Sequence, residues 1–235
     1  MTKIMDPVEL LHELVEKSLS GYVYDMASVV HYVYRDKYVC AKLKGRQWFY
    51  FDGLKWCYTE IGPYHDISTK LVKMYEVDLD KELAKGDVFM QLSSAVNDAS
   101  DNPLTRAQLN EWDLSKKRML RLELVIAKLK NVTFKEAVCR EAMYLFYNSD
   151  FLNKLDKERH LICFKNGVLD LRSKQFRSGN REDYLSLYVD DEYMTPATAG
   201  DVNSQHKITK FMSFRENVIV KRKGSQFKFT IGSED

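Results

Sequence analysis

The sequence predicts an α+β fold in which a small antiparallel β-meander, a helical middle and a short C-terminal β-unit follow one another. Three observations predict it. Aromatic and β-branched residues dominate positions 37–59, apolar residues then recur at helical spacing over 66–148, and short apolar runs between turn residues return after position 160. The predicted units are helices plus the aromatic meander (1–65), a helical region (66–160), the short β-unit (161–200) and a basic tail (201–235).

Two short helices are predicted before the meander. Asp6, Pro7 and Glu9 form a helix start, since Asp caps well, proline suits the first helical position and Glu9 lies three residues after the cap. A second helix is predicted over 25–35. Its apolar face contains Met26, Val29, Val30 and Val33.

The meander is predicted to contain three strands, at 37–44, 47–51 and 55–59. Asp52-Gly53 is a two-residue hairpin signal. Because a small sheet needs large side chains for its core, Trp48 and Trp56 are expected to be buried. The alternative is that some aromatic residues of an open sheet stack on unpaired bases.

The helical middle is predicted to contain several helices. Leu71, Val72 and Tyr75 begin one, and a second runs from Glu82 to the loop at 101–103. Thr133 with Glu136 forms a capping box that would open the last. A long amphipathic helix between them has the apolar stripe Trp112, Met119, Leu122, Ile126 and Leu129.

Composition and charge limit the functional classes. The 235 residues are 45% hydrophobic and 30% charged, which is typical of a globular protein, and 36 basic against 34 acidic residues leave a net charge of +2. Any site for a polyanion must therefore be local. The four cysteines are dispersed and no apolar run is long enough for a bilayer, so we expect an intracellular, soluble protein without membrane contact.

The sequence predicts no catalytic residue, metal site or cofactor. A nucleotide motor needs a glycine-rich loop that ends in Gly-Lys-Ser/Thr, and Lys223-Gly224-Ser225 has the wrong order. Asp78 and Asp80 have a spacing that can hold divalent metals, but they end a helical pattern, which favours solvated acids. The five histidines are scattered singly. The chain by itself is therefore not expected to be an enzyme.

The segment 112–130 carries the best nucleic-acid signal. Its cations face only Asp113 and Glu123 and could neutralise a phosphate backbone. The alternative is a solvated face of an amphipathic helix. The candidate DNA-binding residues are Lys116, Lys117, Arg118, Arg121, Lys128 and Lys130.

Two strings carry a resemblance to a known family. They are WFYFDGLKW at 48–56 and FKNGVLDL at 164–171, with further similarity over about 22–200. Together they resemble the region upstream of the superfamily-3 helicase domain in poxvirus-type primase-helicases of nucleocytoplasmic large DNA viruses, and giant-virus proteins above all. The family-motif residues are Trp48, Trp56, Phe164, Asn166, Gly167 and Asp170.

The resemblance implies a function. In that family this region lies between a primase and a hexameric ATPase and forms part of a collar, and the catalytic residues lie elsewhere. We therefore expect a non-catalytic accessory region in viral DNA replication that positions the motor or binds DNA. The alternatives are a fragment or split subunit of an active primase-helicase, and a protein-interaction module without DNA contact. The implied partners are a viral helicase or primase chain, single-stranded or duplex DNA, and a further copy of the chain, at the site of viral replication in the host cell.

Two local expectations concern the second string. The turn at Asn166-Gly167 is expected to use positive φ, which these residues tolerate best. Asp170 and Arg172 either project toward a neighbouring protomer or nucleic acid, or form a local ion pair at the strand end.

Overall fold

Two helices open the part of the chain that the computed structural model describes, which comprises residues 6–98, 105–194, 221–223 and 226–228. Helix α1 (Pro7–Ser18) begins as predicted, with the Asp6 carboxylate accepting a hydrogen bond from the Val8 N–H at 3.3 Å. Helix α2 (Val23–Tyr34) begins two residues earlier than predicted, directly after Tyr22, whose side chain makes no capping bond.

The meander has the predicted topology. Strands β1 (Tyr38–Lys42), β2 (Gln47–Phe51) and β3 (Trp56–Thr59) pair antiparallel in the order β1-β2-β3. The β2–β3 loop contains four residues rather than two, because Phe51 pairs with Trp56. The Asp52 carboxylate accepts hydrogen bonds from the Leu54 and Lys55 N–H groups, both at 2.8 Å, and so fixes the turn.

Both tryptophans of the meander are buried, as predicted. Trp48 packs against Phe146 with ring centroids 5.5 Å apart, on one face of the sheet. Gly62 lies against this indole, where an added Cβ would approach Trp48 Cε2 to 2.7 Å. On the other face Trp56 packs on Phe151, with centroids 5.1 Å apart. The aromatic residues of the meander therefore mainly fill two hydrophobic cores, one on each face of the sheet.

The helical middle begins with a longer rod than predicted. Helix α3 (Tyr64–Asp66), a π-helical turn (Ile67–Leu71) and helix α4 (Val72–Asp98) follow without a break, so the predicted interruption before Glu82 is wrong. Leu71, at the end of the π-helical turn, and Val72 and Tyr75, in α4, all pack into the main core. The helical segment therefore continues across this junction. The predicted loop at 101–103 lies outside the described residues.

Helix α5 (Arg106–Lys130) starts with a capping box between Thr105 and Gln108, and helix α6 (Val132–Leu145) follows after one residue. The predicted capping box at Thr133 is wrong. Asn131 caps α6 instead, because its amide oxygen accepts from the Phe134 N–H at 3.2 Å and the helix has already begun at Thr133.

Asp66 is a buried polar anchor beside the main core. It accepts hydrogen bonds from Lys37 Nζ and from the Tyr38 hydroxyl, the latter at 2.9 Å, and Lys70 Nζ lies 3.3 Å away. Burial alone would raise the pKa of Asp66, but the hydrogen bonds from Lys37 and Tyr38 and the charge of Lys37 outweigh it and lower the pKa below 3.8. The carboxylate therefore ties the meander to the α3 end of the rod.

A short helix α7 (Phe151–Lys154) leads to the C-terminal β-unit. Its strands β4 (Leu161–Phe164), β5 (Gly167–Asp170) and β6 (Gln175–Arg177) form a second antiparallel sheet, followed by a 3₁₀ turn (Arg181–Asp183). The α+β fold with two small sheets around helices is thus confirmed. Within 201–235 the described residues form a hairpin of β7 (Lys221–Lys223) and β8 (Gln226–Lys228).

The expectation of positive φ at Asn166-Gly167 is wrong, since neither residue has it. Phe164 pairs with Gly167, so the turn itself consists of Lys165 and Asn166. Gly167 is required by a close approach instead. A Cβ there would lie 2.5 Å from Phe176 Cζ and 2.7 Å from the Arg177 carbonyl oxygen on β6.

Candidate nucleic-acid interface

All six predicted DNA-binding residues lie on helix α5. Its inner side packs on α4 and the core through Leu122, Val125, Ile126 and Leu129. Trp112, which the predicted stripe also contains, is only half-buried and stacks on Phe89 of α4, with centroids 5.0 Å apart. The helix is therefore fixed along its length, and its cations lie at defined positions around it.

Arg118 is committed to the fold. Its guanidinium donates from Nε to Glu16 Oε1 at 2.7 Å and from Nη1 to Glu82 Oε1 at 3.0 Å, and Nη2 lies 3.6 Å from Asp78 Oδ2. Burial alone would lower the pKa of Arg118, but the hydrogen bond and charge of Glu16 outweigh it and raise the pKa. The three carboxylates compensate this charge, so Arg118 joins α1, α4 and α5 and is poorly placed to bind a phosphate.

Two further lysines of the predicted set have acidic partners. Lys116 Nζ lies 2.7 Å from Asp113 Oδ1, and Lys130 Nζ lies 2.9 Å from Glu76 Oε1. Both pairs are exposed, and exposed pairs are weak. They nevertheless lower the net positive charge that these two positions offer to a polyanion.

Lys117, Arg121 and Lys128 form no direct ion pair within the described part of the chain, although the pKa of Asp113 is lowered by the hydrogen bond and charge of Lys116 and, to a smaller extent, by the charge of Lys117. Within the described part of the chain, Lys117 and Arg121 form no ion pair and both are exposed. Lys128 Nζ donates to the Gly21 carbonyl oxygen at 3.0 Å, which anchors it without cancelling its charge. By helix geometry the three cations extend over roughly 16 Å along α5.

Exposed leucines share this side of α5. Leu114, Leu120 and Leu124 are 68%, 61% and 64% exposed. With 3.6 residues per turn, they and the three cations fall within about a third of the circumference of the helix. We call this surface the open face, which consists of Leu114, Lys117, Leu120, Arg121, Leu124 and Lys128.

The tryptophans of the family motif stabilise the fold rather than line an open site. Trp48 is enclosed in the main core. Trp56 donates from Nε1 to the Arg181 carbonyl oxygen at 2.8 Å and so links the meander to the segment after β6. Neither indole is available to a base.

The motif residues of the β-unit have local partners. Phe164 is buried. The Asn166 side chain accepts from the Tyr193 N–H at 2.9 Å and donates to the Tyr193 carbonyl oxygen at 3.0 Å. Asp170 accepts from the Arg172 N–H at 2.8 Å and the Ser173 hydroxyl at 3.0 Å, which lowers its pKa. Asp170 therefore makes local contacts at the strand end, but it meets the backbone N–H of Arg172, and the described residues contain no ion pair between the two side chains.

The turn between β1 and β2 is a second basic surface that sequence reasoning missed. Lys42, Lys44 and Arg46 are exposed, and none has an ion-pair partner among the described residues. Gly45 and Arg46 both have positive φ, at 84° and 48°. The three cations stand at alternate positions in Lys-Leu-Lys-Gly-Arg, a pattern that also fits a strand end followed by a turn.

Asp78, one of the two acids considered for metal binding, has other contacts. Asp78 pairs with Lys81 Nζ at 2.9 Å. Within 6–98 and 105–194, no three His, Cys, Asp or Glu side chains converge as a metal site would require. Among the described helices, none has both the length and the apolar composition needed to cross a bilayer.

Comparison with known proteins finds a matching family model and similar viral proteins. A family model described as "D5 N terminal like" matches residues 27–218. The chain is 27% identical over 181 residues to a protein of Acanthamoeba polyphaga mimivirus named "putative helicase", with 77% of this chain and 17% of that protein covered. It is 28% identical over 177 residues to a Frog virus 3 protein of the same description, with 68% and 18% covered. The chain thus spans less than a fifth of the length of either relative.

Proposed function

The chain belongs to the D5 N terminal like family, within the primase-helicases of nucleocytoplasmic large DNA viruses, and we propose that it binds the nucleic-acid backbone through the open face of α5. In this proposal the chain is a non-catalytic accessory region. It holds DNA beside a helicase motor that other parts of the longer relatives would supply.

One observation carries the proposal: three cations that form no direct ion pair in the described structure lie on one fixed helix face. Arg118, Lys116 and Lys130 are matched with carboxylates, whereas Lys117, Arg121 and Lys128 are not. A row of cations that displaces condensed counterions from phosphates binds without sequence preference and weakens with salt. Such contacts suit a region that must accept any sequence passing toward a motor.

A second candidate function is protein docking. The leucines of the open face, at positions 114, 120 and 124, are exposed apolar side chains interleaved with cations. This pattern suits an acidic amphipathic helix, which would bury the leucines and pair with the cations. The partner would be a helicase or primase chain, or another copy of this chain.

Fluorescence anisotropy with a labelled 30-nucleotide single strand tests the first candidate. The variant Lys117→Gln/Arg121→Gln removes two charges that support no contact in the described fold. We expect it to bind at least about fivefold more weakly at fixed low salt, since each phosphate contact contributes independently of sequence.

A matched control removes the same charge elsewhere. Lys44→Gln/Arg46→Gln changes two exposed, unpaired cations of the β1–β2 turn. If only the α5 variant loses affinity, the open face is the contact. If both variants lose affinity equally, net charge alone governs binding and the proposal for α5 is wrong. If neither loses affinity, and Leu120→Ser/Leu124→Ser abolishes capture of a helicase chain, the docking function is favoured.

A further inference from the structure

We infer that Tyr22 and Tyr24 extend the open face as a stacking platform for unpaired bases, so that its ligand is single-stranded rather than duplex nucleic acid. This inference rests on the proposed function, because the tyrosines would act on a strand whose phosphates α5 holds. It adds two residues and a substrate class to that site.

The platform is joined to the open face by Lys128. The turn between α1 and α2 carries Gly21 at φ +73°, and the Gly21 carbonyl oxygen accepts the hydrogen bond from Lys128 Nζ. A side chain at Gly21 would collide with the Lys128 ammonium group. Tyr22 follows directly in the chain, so its backbone begins next to the carbonyl group that holds the last cation of the open face.

Both rings are free to receive a base. Tyr22 is 71% exposed and Tyr24 is 62% exposed. Within the described residues, neither phenol group forms a hydrogen bond or packs on another ring. The exposed Tyr58 differs, because its ring contacts Phe49 edge-on at 5.9 Å.

Charge alone does not explain this part of the surface. Asp25 lies in the first turn of α2 and accepts from the Ser20 hydroxyl at 2.8 Å, so a carboxylate stands close to both tyrosines. A phosphate would be favoured on the Lys128 side and disfavoured beside Asp25. Stacking on an aromatic face needs no charge and accepts every base, so it is the contact that suits these two rings.

The strand type follows from base accessibility. In a duplex the faces of each base are covered by its neighbours, whereas a single strand can place a base on an exposed ring. The cations of the open face would bind either form through phosphates. The tyrosines would therefore supply the preference for single strands.

Three labelled probes test the inference with the full chain: a 20-nucleotide oligothymidylate, the same strand paired with oligoadenylate, and an abasic deoxyribose-phosphate strand. We expect Tyr22→Ala/Tyr24→Ala to weaken binding to oligothymidylate about tenfold or more, from the loss of base stacking. Binding to the duplex and to the abasic strand should be unchanged. Tyr22→Phe/Tyr24→Phe keeps both rings and should retain the affinity.

The salt dependence separates this inference from the proposed function. Tyr22→Ala/Tyr24→Ala should leave the slope of log K against log salt unchanged, while Lys117→Gln/Arg121→Gln should flatten it. Equal oligothymidylate affinity in the alanine variant and the wild type would overturn the platform alone if the α5 variant still binds weakly. An equal loss on all three probes would also overturn it, because the rings would then act on the fold. No binding of the wild type to any probe would overturn both proposals.

Discussion

Arg118 on α5 donates from Nη1 to Glu82 Oε1 on α4 at 3.0 Å, while Lys117, its neighbour in sequence, forms no ion pair in the described structure. Two adjacent cations of one basic stretch thus have different roles. Arg118 stabilises the packing of three helices, and Lys117 faces outward from the open face. Substitutions at these two positions should separate stability from binding.

Arg118→Gln should destabilise the fold. The Glu82 side chain is almost fully buried and accepts from Ser115 at 2.6 Å, so removal of the guanidinium leaves it with Lys85 Nζ, at 2.8 Å, as its remaining cationic partner. We expect a loss of about 1–3 kcal/mol in the free energy of unfolding, measured by urea denaturation. Lys117→Gln is the matched control and should change it by less than about 0.5 kcal/mol. Equal stability of Arg118→Gln and the wild type would show that the network contributes nothing.

The sequence could locate α5 but not assign its cations. Helical periodicity predicts which residues face the core, as at Leu122, Ile126 and Leu129, because it depends only on spacing along one helix. The partners of Arg118 come from α1 and α4 and lie 36 to 102 residues away in sequence. No local pattern contains this information, so all six cations looked equivalent.

Trp48→Ala should be strongly destabilising. The Trp48 indole projects from β2 and is enclosed by Phe146 and Gly62. Its truncation would leave a cavity in the main core. The expected loss is about 3–5 kcal/mol in the free energy of unfolding. Tyr58→Ala, on β3 but half exposed, is the control and should cost far less. A thermal melt unaffected by Trp48→Ala would contradict the assigned packing.

Asp66→Asn should change stability in a pH-dependent manner. The folded pKa of Asp66 lies below its unfolded value, because hydrogen bonds from Lys37 and Tyr38 and the charge of Lys37 outweigh the effect of burial. Its contribution is therefore complete above about pH 4 and is lost as the pH falls through the folded pKa. The gap in unfolding free energy between wild type and variant should be about 1–3 kcal/mol at neutral pH. The gap should narrow as the pH falls below about pH 4 and through the folded pKa, as urea denaturation at each pH would measure. A gap independent of pH would mean that the Asp66 charge does not matter.

The β-unit illustrates the same limit of sequence reasoning. The β-unit itself was predicted, because short apolar runs between turn residues are a local signal, but its turn was predicted one residue too late. The reason for Gly167 was wrong, since the approach of Phe176 and Arg177 on β6 depends on how the strands pair. Likewise α6 is capped by Asn131 and not by Thr133. The Asn131 side chain accepts from the Phe134 N–H in the first turn, and Thr133 already lies inside the helix.

The chain alone should not hydrolyse ATP. The sequence contains no glycine-rich loop with the Gly-Lys-Ser/Thr ending that cradles phosphates. Phosphate release should stay at background with and without single-stranded DNA. Turnover that co-purifies with the chain through successive columns would favour the alternative of an active primase-helicase fragment.

The salt dependence of binding tests the role of the open face most directly. The association constant of wild type and Lys117→Gln/Arg121→Gln for a labelled single strand should be measured across a series of salt concentrations. We expect the slope of log K against log salt to be less steep in the variant, by about 0.7 to 1 for each lost phosphate contact. The urea midpoint should be unchanged, because both side chains lie off the buried stripe of α5. Superimposable lines for the two proteins would contradict the account, since Lys117 and Arg121 would then touch no phosphate.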